Sequence, residues 1–162
     1  MSFSVILPTL NENGHILRLI SEISNIFETQ KKNFEIIVVD DNSTDGTYET
    51  VEKFKKENTF LKTVLRLNKT KNLANSINDG ISTSKYENII WMDADFQHPP
   101  KYINEFINKS QNFDVVISSR FLKESDRYFN NEDLKKEINE NQSYLFNKLC
   151  RKFLYKDITD YT

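Results

Sequence analysis

The chain of 162 residues carries 22 Lys and Arg against 24 Asp and Glu, a formal net charge of -2. That near balance excludes a whole-chain field for wrapping nucleic acid, so any anion binding falls to local patches. Hydrophobic residues make up 38%, and only three Gly and three Pro punctuate the chain, which excludes a low-complexity sequence and predicts a single α/β domain over residues 1–162.

The chain opens on MSFSVILPTL, with no basic segment followed by a long apolar run. No later stretch approaches the roughly 20 apolar residues of a membrane span, so a soluble or peripheral protein is expected. The apolar run at 3–7, FSVIL, predicts a buried strand. Ile16, Leu19, Ile20, Ile23 and Phe27 then recur at three- and four-residue steps, the period of a helix with one buried face. FEIIVV at 34–39 predicts the second strand, and Ser43 or Asp45 is placed to cap a helix carrying Val51 and Phe54. LKTVLRL at 61–67 alternates as a strand with one partly solvated face would. NIIWM at 88–92 and FDVVIS at 113–118 complete a predicted set of five strands. Parallel strands joined by crossover helices are the economical arrangement, with ligands expected at the strands' carboxyl ends.

Toward the end, Ile138 to Tyr155 places Leu145, Phe146, Leu149 and Phe153 along one side, with Lys148, Arg151 and Lys152 nearby. Packing against the sheet is the expected use of that stripe; contact with an anionic membrane surface is the alternative. Cys150 has no partner for an intramolecular disulfide and reads as a small buried residue, in keeping with a reducing, cytoplasmic location.

The predicted carboxyl ends collect polar residues that packing does not call for. The first run ends in PTLNEN, the second in DDNSTDGT, the fourth in DADFQHPP and the last in SSRF. An isolated acid after a strand is ordinarily a helix cap, which is the expected role of Asp45 and Asn13. Asp93-Ala94-Asp95 is different, because carboxylates two residues apart in extended chain point to the same side. Oxygen ligands so placed suit Mg²⁺ or Mn²⁺, which share their shell with substrate phosphates, and Gln97 is placed to add a third protein oxygen. Arg120 is available for a second anionic group. His98, before two prolines, is expected to orient the turn.

The strings VILPTLNE, EIIVVDDNSTDGT, IIWMDADFQHPP and the terminal DITDYT resemble the inverting family-two glycosyltransferases, especially the dolichol-phosphate mannose synthase branch. The resemblance implies a GT-A fold: a Rossmann-like, mostly parallel sheet flanked by helices. It implies that Pro8, Leu10 and Glu12 border the nucleotide, that Val39 and Asp41 contact base and ribose, that Asp93, Ala94, Asp95 and Gln97 form the metal-diphosphate site, and that Arg120 binds anionic substrate. The implied reaction transfers a hexose from a nucleotide-diphosphate sugar, GDP-mannose or UDP-glucose in type, to a polyprenyl phosphate. A phosphate acceptor is largely ionised at neutral pH and needs no strong general base, so none is assigned.

Departures from the family's pattern bear on that expectation. NKTKNLANSINDG has Asn72 and Asn75 where relatives commonly carry glycines nearby, leaving the loop's shape open. Asn139 stands where relatives of the mannose synthase kind have an arginine, which turns attention to Lys135 and Lys136. The chain stops at Asp160-Tyr161-Thr162, where relatives continue into a Gly-Phe-Arg segment, so a missing acceptor-side portion and impaired turnover are expected. Three other readings compete: transfer to a saccharide hydroxyl, a nucleotide-sugar-binding pseudoenzyme and, on IIVVDD and IIWMDAD, a phosphoacceptor receiver module. Against the receiver stand the long Asp41-to-Asp93 interval and the strand with PTLNE before the acidic pair.

Overall fold

The computed structural model describes residues 1–118. The chain divides into two units, Met1–Asn108 and Lys109–Thr162, and the second is described only as far as Ser118. In chain order the elements are β1 (Ser2–Thr9), α1 (Ile16–Thr29), β2 (Asn33–Asp40), α2 (Thr47–Lys55), β3 (Leu61–Leu65), α3 (Leu73–Thr83), β4 (Asn88–Trp91), a 3-10 turn (Pro100–Tyr102) and α4 (Ile103–Lys109). The strands form one sheet in the order β3-β2-β1-β4, and every pair is parallel.

The strands read as near-continuous apolar runs because both faces of the sheet are covered. Phe3, Val5 and Leu7 of β1 and Ile36 and Val38 of β2 share a core with Ile16, Leu19, Ile20, Ile23 and Phe27 of α1. Ile6, Ile37 and Val39, one residue out of phase, form a second core with Val64 and Ile89. Phe27 stacks on Phe34 at 5.1 Å, and Phe34 meets Phe60 at 5.0 Å, closing the amino-terminal end of the sheet.

From β1 the chain steps to β2 and β3, then returns past β1 to form β4. Right-handed crossovers in opposite directions place α1 and α3 on opposite faces and leave a crevice where the strand order reverses, between the carboxyl ends of β1 and β4. Pro8 sits in a central strand, where a missing N–H would ordinarily cost a ladder bond. The register explains it. Ile6 pairs with Trp91, the last residue of β4, and its carbonyl accepts from Met92 N–H at 3.2 Å. Two residues on, Pro8 faces the same side, where β4 has already ended.

The segment from Asn72 to Thr83, whose shape the sequence left open, is helical. The Asn72 side chain caps α3 by accepting the Asn75 N–H at 3.0 Å. Gly80 is buried in α3, and a Cβ there would stand 2.5 Å from Ile6 Cγ2 and 3.1 Å from Val39 Cγ2. The glycine sets how closely the helix approaches the sheet. Gly80→Ala is therefore expected to destabilise the protein by about 1–3 kcal/mol through overpacking, read as a lower urea midpoint at unchanged slope; an unchanged midpoint would show that the helix can withdraw at no cost.

One predicted element is corrected. Residues 113–118 form no strand. The N–H groups of Asn112 and Phe113 turn back to Lys109 O, and Phe113, Val115 and Ile117 are exposed. An apolar run becomes a strand only when a neighbour takes its backbone groups, and that pairing is not encoded locally. The described residues thus contain four strands of the five expected. Arg120, Lys135, Lys136, Asn139, the stripe 138–155, Cys150 and Asp160 lie outside the described residues.

Candidate nucleotide and metal site

The loops after β1 and β2 are sewn together. Asn11 N–H donates to Ser43 Oγ and Thr44 N–H to Asn11 Oδ1, each at 2.9 Å. Glu12 N–H donates to Thr47 Oγ1 at 2.8 Å, and Asn13 N–H to Asp45 Oδ2 at 3.0 Å. Asn11 and Asn42 take left-handed backbone, with φ of 62° and 59°, which asparagine tolerates better than most residues. Asp45 and Asn13, expected as helix caps, are not at the helix boundaries, which are Gly46 for α2 and His15 for α1; Asp45 and Asn13 instead clasp the two loops to each other. The Thr47 hydroxyl bond, opposed by burial and assisted by the Asn13 and Thr47 N–H groups, holds the Asp45 carboxyl below its ordinary range.

The adjacent acids Asp40 and Asp41 have separate duties. Asp40 is fully buried and accepts from Ser43 N–H at 2.8 Å, Ser43 Oγ at 2.7 Å and Thr9 Oγ1 at 3.2 Å, which closes the turn after β2. Asp41 N–H donates to Thr9 O at 2.9 Å, and its carboxylate turns toward α3. There Oδ1 pairs with Arg66 Nη1, while Oδ2 accepts from Asn72 N–H at 3.0 Å and Ser76 Oγ at 3.1 Å. Arg66 and Ser76 were not singled out from the sequence. The available signal was an arginine at the end of a predicted strand, the one strand end whose residues were passed over.

Beyond β4, burial still alternates although the ladder has stopped. Met92 and Ala94 are buried, while Asp93 and Asp95 are partly exposed. Asp93 N–H donates to His98 Nδ1 at 3.4 Å, so His98 shapes the turn. Asp95 Oδ1 accepts from Gln97 N–H at 2.9 Å, and Gln97 itself is exposed. Phe96 holds φ at 62°, uncommon for an aromatic residue, and its ring contacts the α1 end on both sides: His15 edge-on at 5.9 Å and the Arg18 guanidinium at 4.9 Å. The loop after β4 is thereby tethered to the start of α1.

Glu12 joins this edge. Its Oε2 lies 2.7 Å from His15 Nε2. Burial lifts the Glu12 carboxyl above its ordinary value; His15 pulls it down, and the charges of Asp95 and Asp45 push it further up. Neither Asp93 nor Asp95 is paired with lysine or arginine among the described residues. Among the described residues Asp95 presses on Glu12 at the sheet's edge with no lysine or arginine beside it, an arrangement that fits a divalent cation, which would relieve that repulsion. Among the described residues no group of three or more His, Cys, Asp or Glu is placed to hold a metal ion. The set fits a partial shell completed by ligand oxygens, the usual mode for Mg²⁺.

Of the other expected contacts, Leu10 is exposed beside the crevice and Pro8 lies on its wall. Val39 and Ala94 are buried, with Val39 packed near Gly80. Their side chains lie under the edge, leaving main chain as what they could offer a ligand.

Residues 4–162 match the family Glycosyl transferase family 2. The chain belongs to glycosyltransferase family 2. It is 37% identical over 124 residues to a dolichol-phosphate mannosyltransferase of Pyrococcus furiosus, covering 76% of this chain and 34% of that one. To the protein of the same name from Mycosarcoma maydis it is 36% identical over 127 residues, covering 74% of this chain and 42% of the relative. The chain thus spans well under half the length of these curated relatives. Among solved structures, S. aureus TarS 1-349 in complex with UDP superposes with a TM-score of 0.55 at 27% identity, over 76% of this chain and 40% of that one. Mannosyl-3-phosphoglycerate synthase from Rubrobacter xylanophilus, at 20% identity and a TM-score of 0.51, shares the fold over 59% of this chain and 31% of its own. The parallel sheet flanked by helices is that of GT-A glycosyltransferases.

Proposed function

We propose that this family 2 glycosyltransferase binds a nucleotide-diphosphate sugar across the β1/β4 crevice, with a divalent cation held by Asp93 and Asp95, and transfers the hexose with inversion to a polyprenyl phosphate. The observation that carries the reading is a pair of carboxylates with no lysine or arginine partner among the described residues, at the point where strand order reverses, near Glu12. Mn²⁺ or Mg²⁺ would supply charge to offset the leaving diphosphate. Asp93 and Asp95 hold the cation's position, Gln97 stands at its rim, and Pro8, Leu10 and Glu12 border the donor. Asp41 meets the nucleoside. An acceptor phosphate oxygen attacks the anomeric carbon; the bond to the diphosphate breaks, and its electron pair leaves with the nucleoside diphosphate. Arg120 is assigned to anionic substrate.

Similarity to proteins named dolichol-phosphate mannosyltransferases supports the phosphate acceptor and a mannose donor, while the UDP complex of TarS supports keeping uridine donors in view. No helix among the described residues is long and apolar enough to cross a membrane; we place the acceptor at a membrane surface met peripherally on its cytoplasmic side. Calorimetry with GDP-mannose and UDP-glucose, with and without Mn²⁺, tests the donor site. Binding to one of them that requires the metal is expected, and metal-independent or absent binding would overturn the reading. Release of nucleoside diphosphate only when polyprenyl phosphate is added tests the acceptor, with a saccharide acceptor as the competing arm.

A further inference from the structure

We propose that Arg66 is a positioning residue for nucleobase selection, fixing the Asp41 carboxylate so that it accepts from the ring N–H of a guanine- or uracil-type base; this rests on the nucleotide-binding reading above. Arg66 lies just beyond β3 with its side chain 2% exposed. Its backbone N–H donates to Asp40 O at 2.9 Å, continuing the β2–β3 ladder past Leu65. Nε donates to Asp79 Oδ2 at 2.8 Å, Nη1 to Asp41 Oδ1 and to Ser76 Oγ at 2.9 Å, and Nη2 reaches Thr70 O at 3.4 Å. Asp79 is in turn held from outside by Lys69 Nζ at 2.8 Å. The planar guanidinium is thus set by α3 on one side and carries Asp41 on the other, a geometry lysine does not reproduce.

The consequence lies in which acceptor sites remain. Asp41 Oδ2 already takes two donors, from Asn72 and Ser76, whereas Oδ1 takes one, from Arg66. A carboxylate oxygen accepts about two hydrogen bonds, so the direction left open belongs to Oδ1, the atom Arg66 orients. As a carboxylate, Asp41 offers acceptors only. Guanine presents ring N1–H and uracil presents ring N3–H to such a group, whereas adenine and cytosine present a bare ring nitrogen at the corresponding edge. With 9% of its side chain exposed, Asp41 leaves a ligand a narrow approach. Arg66 would therefore influence which base is taken while the diphosphate is held elsewhere, at Asp93 and Asp95.

The test measures binding of UDP, GDP, CDP and ADP with Mn²⁺, and of pyrophosphate with Mn²⁺, to the wild-type chain, Arg66→Met, Arg66→Lys, Asp41→Asn and the double variant Arg66→Met/Asp41→Asn. Wild type should prefer UDP or GDP over CDP and ADP. Arg66→Met should weaken the preferred nucleotide by roughly ten- to a hundredfold, the range for a lost charge-assisted hydrogen bond, with pyrophosphate binding unchanged and no further loss in the Asp41→Asn background. Arg66→Lys should restore affinity only in part. Equal losses for pyrophosphate, additive losses with Asp41→Asn, or unchanged base preference would overturn the assignment. Should Arg66→Met fail to fold, Asp79→Asn, which releases Arg66 from the surface side, should lower base preference in the same direction, and an unchanged preference would overturn it. A wild-type chain that binds neither nucleotide nor pyrophosphate would overturn the underlying reading, an outcome distinct from failure of the base effects alone.

Discussion

Asp95→Ala should abolish metal-dependent nucleotide binding while leaving the fold intact. Asp95 is partly exposed and its one hydrogen bond among the described residues comes from the Gln97 N–H, a group that water can satisfy. The thermal midpoint should therefore move little. Binding should change far more, because a two-carboxylate partial shell loses half its protein charge; even changes behind metal ligands weaken affinity by about ten- to a hundredfold, and removal of a ligand should reach or exceed the upper end. Titrating Mn²⁺ into protein saturated with UDP or GDP measures this directly. Asp93→Ala should behave alike, with an added change in the turn because Asp93 faces His98 at 3.8 Å. Unchanged metal-dependent binding in Asp95→Ala would show that the cation is held elsewhere.

The second large effect concerns stability at the opposite end of the sheet. Glu35 on β2 is 4% exposed and gathers Ser4 Oγ at 2.6 Å, Lys85 N–H at 2.5 Å and Lys62 Nζ at 2.7 Å. Ser4 Oγ in turn accepts from Tyr86 N–H at 3.1 Å, so one carboxylate organises the passage from α3 into β4. Glu35→Ala strands these donors and should lower stability by about 2–4 kcal/mol, toward the lower figure because the half-exposed Lys62 can rehydrate.

The same group predicts an acid dependence. Burial pushes the Glu35 carboxyl up, but Lys62, Ser4 and the Lys85 N–H outweigh it and hold the group below its ordinary value of 4.5. A carboxyl depressed in the folded state contributes stability that is complete above the unfolded value and is lost as pH falls through the folded one. The advantage of wild type over Glu35→Gln should accordingly be constant above pH 4.5 and shrink below it, as read from urea midpoints at several pH values. A constant difference down to strong acid would show that folding does not lower the Glu35 carboxyl, and an advantage that grows toward acid would show that folding raises it.

Much of this molecule can be read locally. The helical stripe from Ile16 to Phe27 follows from a period of 3.6 residues, β1, β2 and β4 from short continuous apolar runs, and β3 from alternation, all of them signals carried by the local sequence. His98 was legible as a turn residue from the two prolines that follow it. What only the tertiary structure decided are matters of partnership across distance. Asp40 and Asp41 are neighbours of identical chemistry, yet one closes a turn and the other meets an arginine 25 residues away. Gly80 has meaning only because Ile6 and Val39 lie beneath it. FDVVIS has the composition of a strand but no ladder in the described chain, because a strand exists only where another segment receives its hydrogen bonds. Sequence determined which residues face which way along each segment; the packing of β2, β3 and α3 decided that the second acid of the pair is aimed by Arg66, since a buried charge takes its orientation from the partner that compensates it.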